Sequence, residues 1–353
     1  MKTGRTLNDL ASELQRQLAT KRDVLVPSPQ LQHSTSEGET VLTVPETHGV
    51  TAYPMLPLAR RQLADKLHIP VTYFERMREE QPALLDQNVN TWLGHDPERR
   101  MLRVLDGHVR AVLSERYRRL DNYDLAESVL PILQQLPGMR FESVELTETR
   151  MYLKCVSSRI EFEVAPGDIV QAGLVVSNSE VGEGTLSVQP LIYRLVCRNG
   201  LVVPERALRK AHVGRALSLE TVNGGVYQED TVRADDRAFF LKVRDVVQAT
   251  MSEVGFRQCA QKFQKTLGIP LIGGPDRAVE VLGQRYGLSE TERGGVLQAL
   301  IRDASMTGYG LINAVTHFSQ DVDDYDRATE LEILGGKLLD FGDAEWKNLA
   351  QAA

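Results

Sequence analysis

The chain has 353 residues, 42% hydrophobic and 25% charged, with 3 cysteines and a net charge of −7. This composition is that of a globular chain forming one large domain or two ordinary ones, because single cores stop growing near ~250–300 residues. It excludes a membrane-spanning helix, for which no uncharged apolar run of ~18–20 residues exists. It also excludes a disulfide framework, since Cys155, Cys197 and Cys259 are few and far apart. The first 22 residues carry charges throughout and no apolar run, so no secretory leader is expected and a cytoplasmic location with reduced thiols is.

The apolar positions Leu7, Leu10, Ala11, Leu14 and Leu18 predict a helix over 6–22. The segment PSPQLQHSTSEGET that follows is poor in apolar residues, so residues 1–40 are expected to form a flexible N-terminal region. A strand-like run, VLTVP (41–45), opens the expected body. Residues 57–93 read as three helices, the first broken at Ile69-Pro70 because a residue before proline leaves the α region. Two strands around Asp106-Gly107 form an expected hairpin over 100–113, and a helix follows at 122–136 with Asp121 or Asn122 as its cap. From 140 to 203 the apolar period becomes two, which predicts an antiparallel sheet of about four or five strands with Gly182-Glu183-Gly184 in a hairpin turn. One long helix is expected over 235–267, then shorter helices at 276–286, 289–304, 307–318 and 324–340, the second opened by a Ser289/Glu292 capping box. The fold class is therefore α+β, an antiparallel sheet packed by a long helix with helical N-terminal and C-terminal regions. The expected divisions are 1–40, 41–270 and 271–353.

Motifs that carry chemistry are missing. No two histidines have helical metal-ligand spacing, no His-Glu-x-x-His occurs and no two cysteines stand in a CxxC, so no metal site is expected. The three cysteines sit in apolar-periodic contexts and are expected to be buried packing thiols. LIGGPD lacks the Lys-Ser/Thr of a phosphate loop, and no nucleophile elbow, kinase or dinucleotide fingerprint appears. DVDDYD (321–326) lacks the Gly and Glu that complete a calcium loop and reads as an acidic helix N-terminus. A non-enzymatic protein without cofactors is expected. An enzyme on nucleic acid would need clustered carboxylates, for which Asp321, Asp323, Asp324 and Asp326 are the dense candidates.

Charge segregation is the strongest signal. Residues 98–119 hold seven arginines against three acids, a local charge of +4. Residues 194–215 reach +5 and residues 303–346 fall to −8. Guanidinium groups beside aromatics suit phosphate contact and base stacking. The expected nucleic-acid contacts are Arg103, Arg110, Arg116, Arg118, Arg119, Arg194, Arg198, Arg209 and Lys210, with Tyr117 and Tyr193 as stacking platforms. The competing reading pairs these arginines with the acidic C-terminal region, within one chain or between subunits.

The runs VRAVLSERYRRLDNYDLAESVLPIL, CRNGLVV and GYGLINAVTHFSQDVDDYDRATELEILGGKLLD, with LARRQLADKLHIPVTYFERM before them, resemble the phage/plasmid-like protein family. That family is a domain of unknown function, number nine-three-two, of bacteria, phages and plasmids, and it implies no catalytic residues. The order helix, antiparallel strands, long helix is also similar to that of the single-strand annealing recombinases, a likeness of fold only. That likeness implies a homo-oligomeric ring or filament that lays single-stranded DNA, or RNA, in a basic groove, with strand annealing in recombination as the role. The alternative is a protein-interaction or anti-defence assembly protein that binds no nucleic acid.

Overall fold

The computed structural model describes residues 1–47, 49–117, 119–204 and 229–350. It is α+β, and the chain divides into two compact units: residues 1–10, 124–178 and 185–353 form one, residues 11–123 and 179–184 the other. This division crosses both expected boundaries, at 40 and at 270.

In the first unit the period-two run becomes an antiparallel meander of five strands, β7 (Met139–Leu146), β8 (Met151–Ala165), β9 (Asp168–Asn178), β10 (Ser187–Arg194) and β11 (Asn199–Val202), each paired with its sequence neighbour. Strand alternation sends Val170, Ala172, Ile192 and Leu201 into one core with the helices. Tyr152, Val156, Val175, Leu191 and Tyr193 enter another on the opposite face. The single long helix expected over 235–267 is two helices, α6 (Glu229–Thr250) and α7 (Glu253–Lys265). Ser252 lies between them and caps the second by accepting from the Gly255 N–H, an arrangement that apolar periodicity alone does not reveal.

The C-terminal helices fall where they are expected: α8 (Pro275–Tyr286), α9 (Glu290–Arg302), α10 (Gly308–Phe318) and α11 (Tyr325–Leu338), with α12 (Asp343–Ala350) in addition. The Ser289/Glu292 capping box is formed. At Gly336 the α11 backbone lies so close to the meander that an added Cβ would stand 1.9 Å from the Val202 carbonyl oxygen.

The second unit holds two three-stranded antiparallel sheets. One has the order β1 (Arg22–Pro27), β5 (Arg99–Leu105), β6 (His108–Ser114), and the other β2 (Gln32–Ser36), β3 (Glu39–Glu46), β4 (Gly49–Pro54). The β5–β6 hairpin turns at Asp106 and Gly107, both at positive φ as a two-residue turn requires. The three helices of 57–93 are α2 (Pro57–Lys66), α3 (Val71–Glu80) and α4 (Pro82–His95).

Residues 1–40 are not a flexible region: they contain α1 (Leu7–Thr20), β1 and β2. β1 pairs with β5, so its partner lies some 80 positions away. β2 is polar and is held by α4: the His33 N–H donates to Asn90 Oδ1 at 2.7 Å, and the His33 ring meets Asp86 at 2.8 Å. The Gly182 segment joins two paired antiparallel strands as expected, β9 and β10, through a long connection over residues 179–186.

Candidate functional site

The expected nucleic-acid contacts separate into engaged and exposed groups. Arg103 is fully buried on β5, where its guanidinium donates to Asp23 at 2.9 Å, to Asp121 at 2.6 Å and to the Glu180 carbonyl at 2.9 Å. Arg110 is buried on β6 and pairs with the Glu180 carboxylate. Glu180 also accepts from the Asn122 N–H at 2.6 Å and lies 3.4 Å from Lys21, which in turn pairs with Asp121 at 2.8 Å. Three cations thus face three anions inside the second unit. Burial works to raise the Asp121 carboxyl, but Arg103 and Lys21 outweigh it and hold the group below its ordinary value. Neither Arg103 nor Arg110 can reach a phosphate in this arrangement.

The same correction applies to two residues of the first unit. Arg194 is clamped on Asp168 by two hydrogen bonds, at 2.7 and 2.8 Å, and Tyr309 donates to the same carboxylate. Tyr193 is buried, its hydroxyl donates to Glu142 and its ring faces the Arg140 guanidinium, so no face is open to a base. Burial pushes its phenol above the ordinary range, aided by Glu142. Tyr117 is partly buried and donates to the Ser179 carbonyl at 3.0 Å, which anchors the loop after β6. Arg116 and Arg198 are exposed. Arg119 is 60% exposed and only loosely paired with Asp23, at 3.4 Å. Arg118, Arg209 and Lys210 lie outside the described residues.

The carboxylates of 321–326 do not converge on a common ligand position among the described residues. Asp324 caps α11 by accepting from the Arg327 N–H, as an acidic helix N-terminus should, and Asp326 accepts from Thr147 and Thr149. Behind them lies an internal ion pair: Lys154 on β8 and Glu332 on α11, both fully buried, meet at 2.7 Å.

A different group does converge. Cys197 lies in the turn between β10 and β11, Asp303 caps the C-terminus of α9, and His317 lies in the last turn of α10. One ligand atom from each stands within 4.8 Å of the others, and all three residues are partly buried. Cys155 and Cys259 are buried as expected, whereas Cys197 is not a fully buried packing thiol.

The family model of Domain of unknown function (DUF932) matches residues 109–332. The chain belongs to that family. The matched span runs from β6 to Glu332 and includes the exposed loop after β6, the five-stranded meander and the Cys197, Asp303 and His317 group. No curated protein and no solved structure matches the chain.

Proposed function

We propose that this protein binds single-stranded nucleic acid through the loop that follows β6, acting in oligomeric form in strand annealing or recombination within a mobile element. The observation that carries the reading is the exposure of Arg116 and Arg119 at a loop whose sequence sets three arginines against Glu115. Arg116 has no ion-pair partner among the described residues, and Tyr117 between the arginines fixes the loop to its unit. An unpaired Arg116 and a loosely held, exposed Arg119 on an anchored loop suit phosphate contact without desolvating a buried charge.

The test is a fluorescence-anisotropy titration with a labelled oligothymidylate of about 30 nucleotides, run at ~50 and ~200 mM salt. Three phosphate contacts on a single strand give a slope near −0.7 each, so affinity should weaken about 18-fold across that fourfold change in salt. The double variant Arg116→Ala/Arg119→Ala should bind more weakly and lose only about 2.6-fold over the same range. Absence of micromolar binding at low salt, or a double variant with unaltered affinity and salt slope, overturns the proposal.

A second reading, a protein-interaction surface, draws on α4, where Trp92 is 52% and Leu84 47% exposed. In that case Trp92→Ala shifts the oligomeric state seen by sizing chromatography and leaves oligonucleotide affinity alone.

A further inference from the structure

We infer that Cys197, Asp303 and His317 form a binding site for one zinc ion, with the fourth coordination position left to water or an exogenous ligand. The donor set is a thiolate, an imidazole and a carboxylate, the mixture of sulfur, nitrogen and oxygen that suits a borderline-soft divalent ion and not magnesium or calcium. A thiolate and a carboxylate also neutralise a doubly charged ion, so a partly buried metal would leave no net charge. Three protein ligands with one open position is the pattern of zinc sites that exchange a ligand.

The geometry needs only local adjustment. Tetrahedral zinc sets its donor atoms about 3.3–3.6 Å apart. His317 Nδ1 already lies 3.8 Å from Asp303 Oδ2. That carboxylate oxygen is buried and has no hydrogen-bond partner, a costly state that a bound cation relieves. Cys197 Sγ accepts from the Arg194 guanidinium at 3.3 Å, and Arg194 is itself held by Asp168, so the sulfur is positioned by a fixed donor. The turn that carries Cys197 is tied down by Gln320, whose amide donates to the Cys197 carbonyl at 3.2 Å.

One group stands in the way. Arg302 Nη2 lies 3.0 Å from His317 Nδ1 and 3.2 Å from Nε2, a cation that the metal must displace. The Arg302 side chain is 59% exposed, so it can swing into solvent.

The test uses the purified full chain stripped with a chelator, then titrated with zinc against a chromophoric competitor and, separately, with cobalt. One equivalent of zinc should bind, and cobalt should develop a thiolate-to-metal charge-transfer band in the near ultraviolet. Cys197→Ser should abolish the band and weaken zinc by more than the ~10–100-fold that removing an outer hydrogen-bond partner of a metal ligand costs. His317→Ala should weaken zinc to a similar degree. Arg302→Ala should tighten it, an effect that damage to the fold would not produce. No stoichiometric zinc uptake, a cobalt band that survives Cys197→Ser, or Arg302→Ala weakening the ion refutes the site. None of these readouts depends on nucleic-acid binding.

Discussion

Lys154 and Glu332 offer the sharpest energetic test of the first unit. Lys154 Nζ donates to Glu332 at 2.7 Å and to Thr329 at 2.9 Å, and faces the Tyr325 ring at 4.5 Å. Burial pushes the ammonium below the ordinary lysine value, against the pull of Glu332. At an effective dielectric of about 20 the Coulomb attraction at this separation is ~6 kcal/mol, most of which offsets the desolvation of two fully buried ions. Removing one partner forfeits the attraction and leaves the desolvation in place. Lys154→Met and Glu332→Leu should therefore each destabilise the unit by about 3–5 kcal/mol. The double variant should lie close to the parent or be more stable by about 1–4 kcal/mol, because neither ion then needs a counterion.

The assay is urea unfolding followed by tryptophan fluorescence in a Trp92→Phe background. Trp92 is exposed in the second unit, whereas Trp346 is buried in the core of the first and remains as its reporter. A further signature distinguishes the two single variants. In Lys154→Met the lone buried carboxyl takes up a proton rather than stay charged, so that variant should regain stability as pH falls. Single substitutions costing below ~1 kcal/mol, or a double variant whose loss equals both single losses together, would refute the reasoning.

Three further outcomes are expected. The Glu292 carboxyl is pulled from 4.5 down to about 2, chiefly by its hydrogen bond with Arg327. Its contribution should be full above pH ~4.5 and lost as pH falls toward ~2. Arg327→Met should remove roughly 1–2 kcal/mol of that acid-labile stability in a pH series of unfolding curves. Gly336→Ala should cost about 1–3 kcal/mol or more, because its Cβ would press on the Val202 carbonyl. The exposed helical Gly294→Ala, whose Cβ meets nothing within 4 Å, should instead gain about 0.5–1 kcal/mol, and equal effects at both glycines would contradict the packing. Glu180→Gln leaves Arg110 without its counterion inside the second unit, so thermal unfolding should show a loss of about 3 kcal/mol, and a change below ~1 kcal/mol would count against the buried network.

Local signals reported the elements well where a stretch of chain holds its own reason for being regular. Alternation from 140 to 203 carried the meander because neighbouring strands pair with one another. Asp106-Gly107 and the Ser289/Glu292 box are contained within a few residues, and both appear as expected. The misreadings have a common cause. β2 has almost no apolar residues because hydrogen bonds to Asp86 and Asn90 stand in for them, and β1 waits for a partner some 80 positions on. The helix over 235–267 hides a break whose sign is a single capping serine.

Charge was the most misleading signal for the site. The +4 of residues 98–119 counts sequence neighbours, but Arg103 and Arg110 find Glu180 at separations of 77 and 70 residues. A local sum cannot register a counterion that arrives from a distant loop. Cys197, Asp303 and His317 escaped notice for the same reason, since no motif spacing joins a turn, a helix C-cap and a helix end.

By itself, then, the sequence determined the α+β class, the meander, the C-terminal helices and the family resemblance, because periodicity, caps, turns and short motifs act over a few residues. Only the tertiary structure decided which arginines stay free and which polar side chains meet. Ion pairing and coordination depend on distances of a few ångströms between atoms that the chain order keeps far apart.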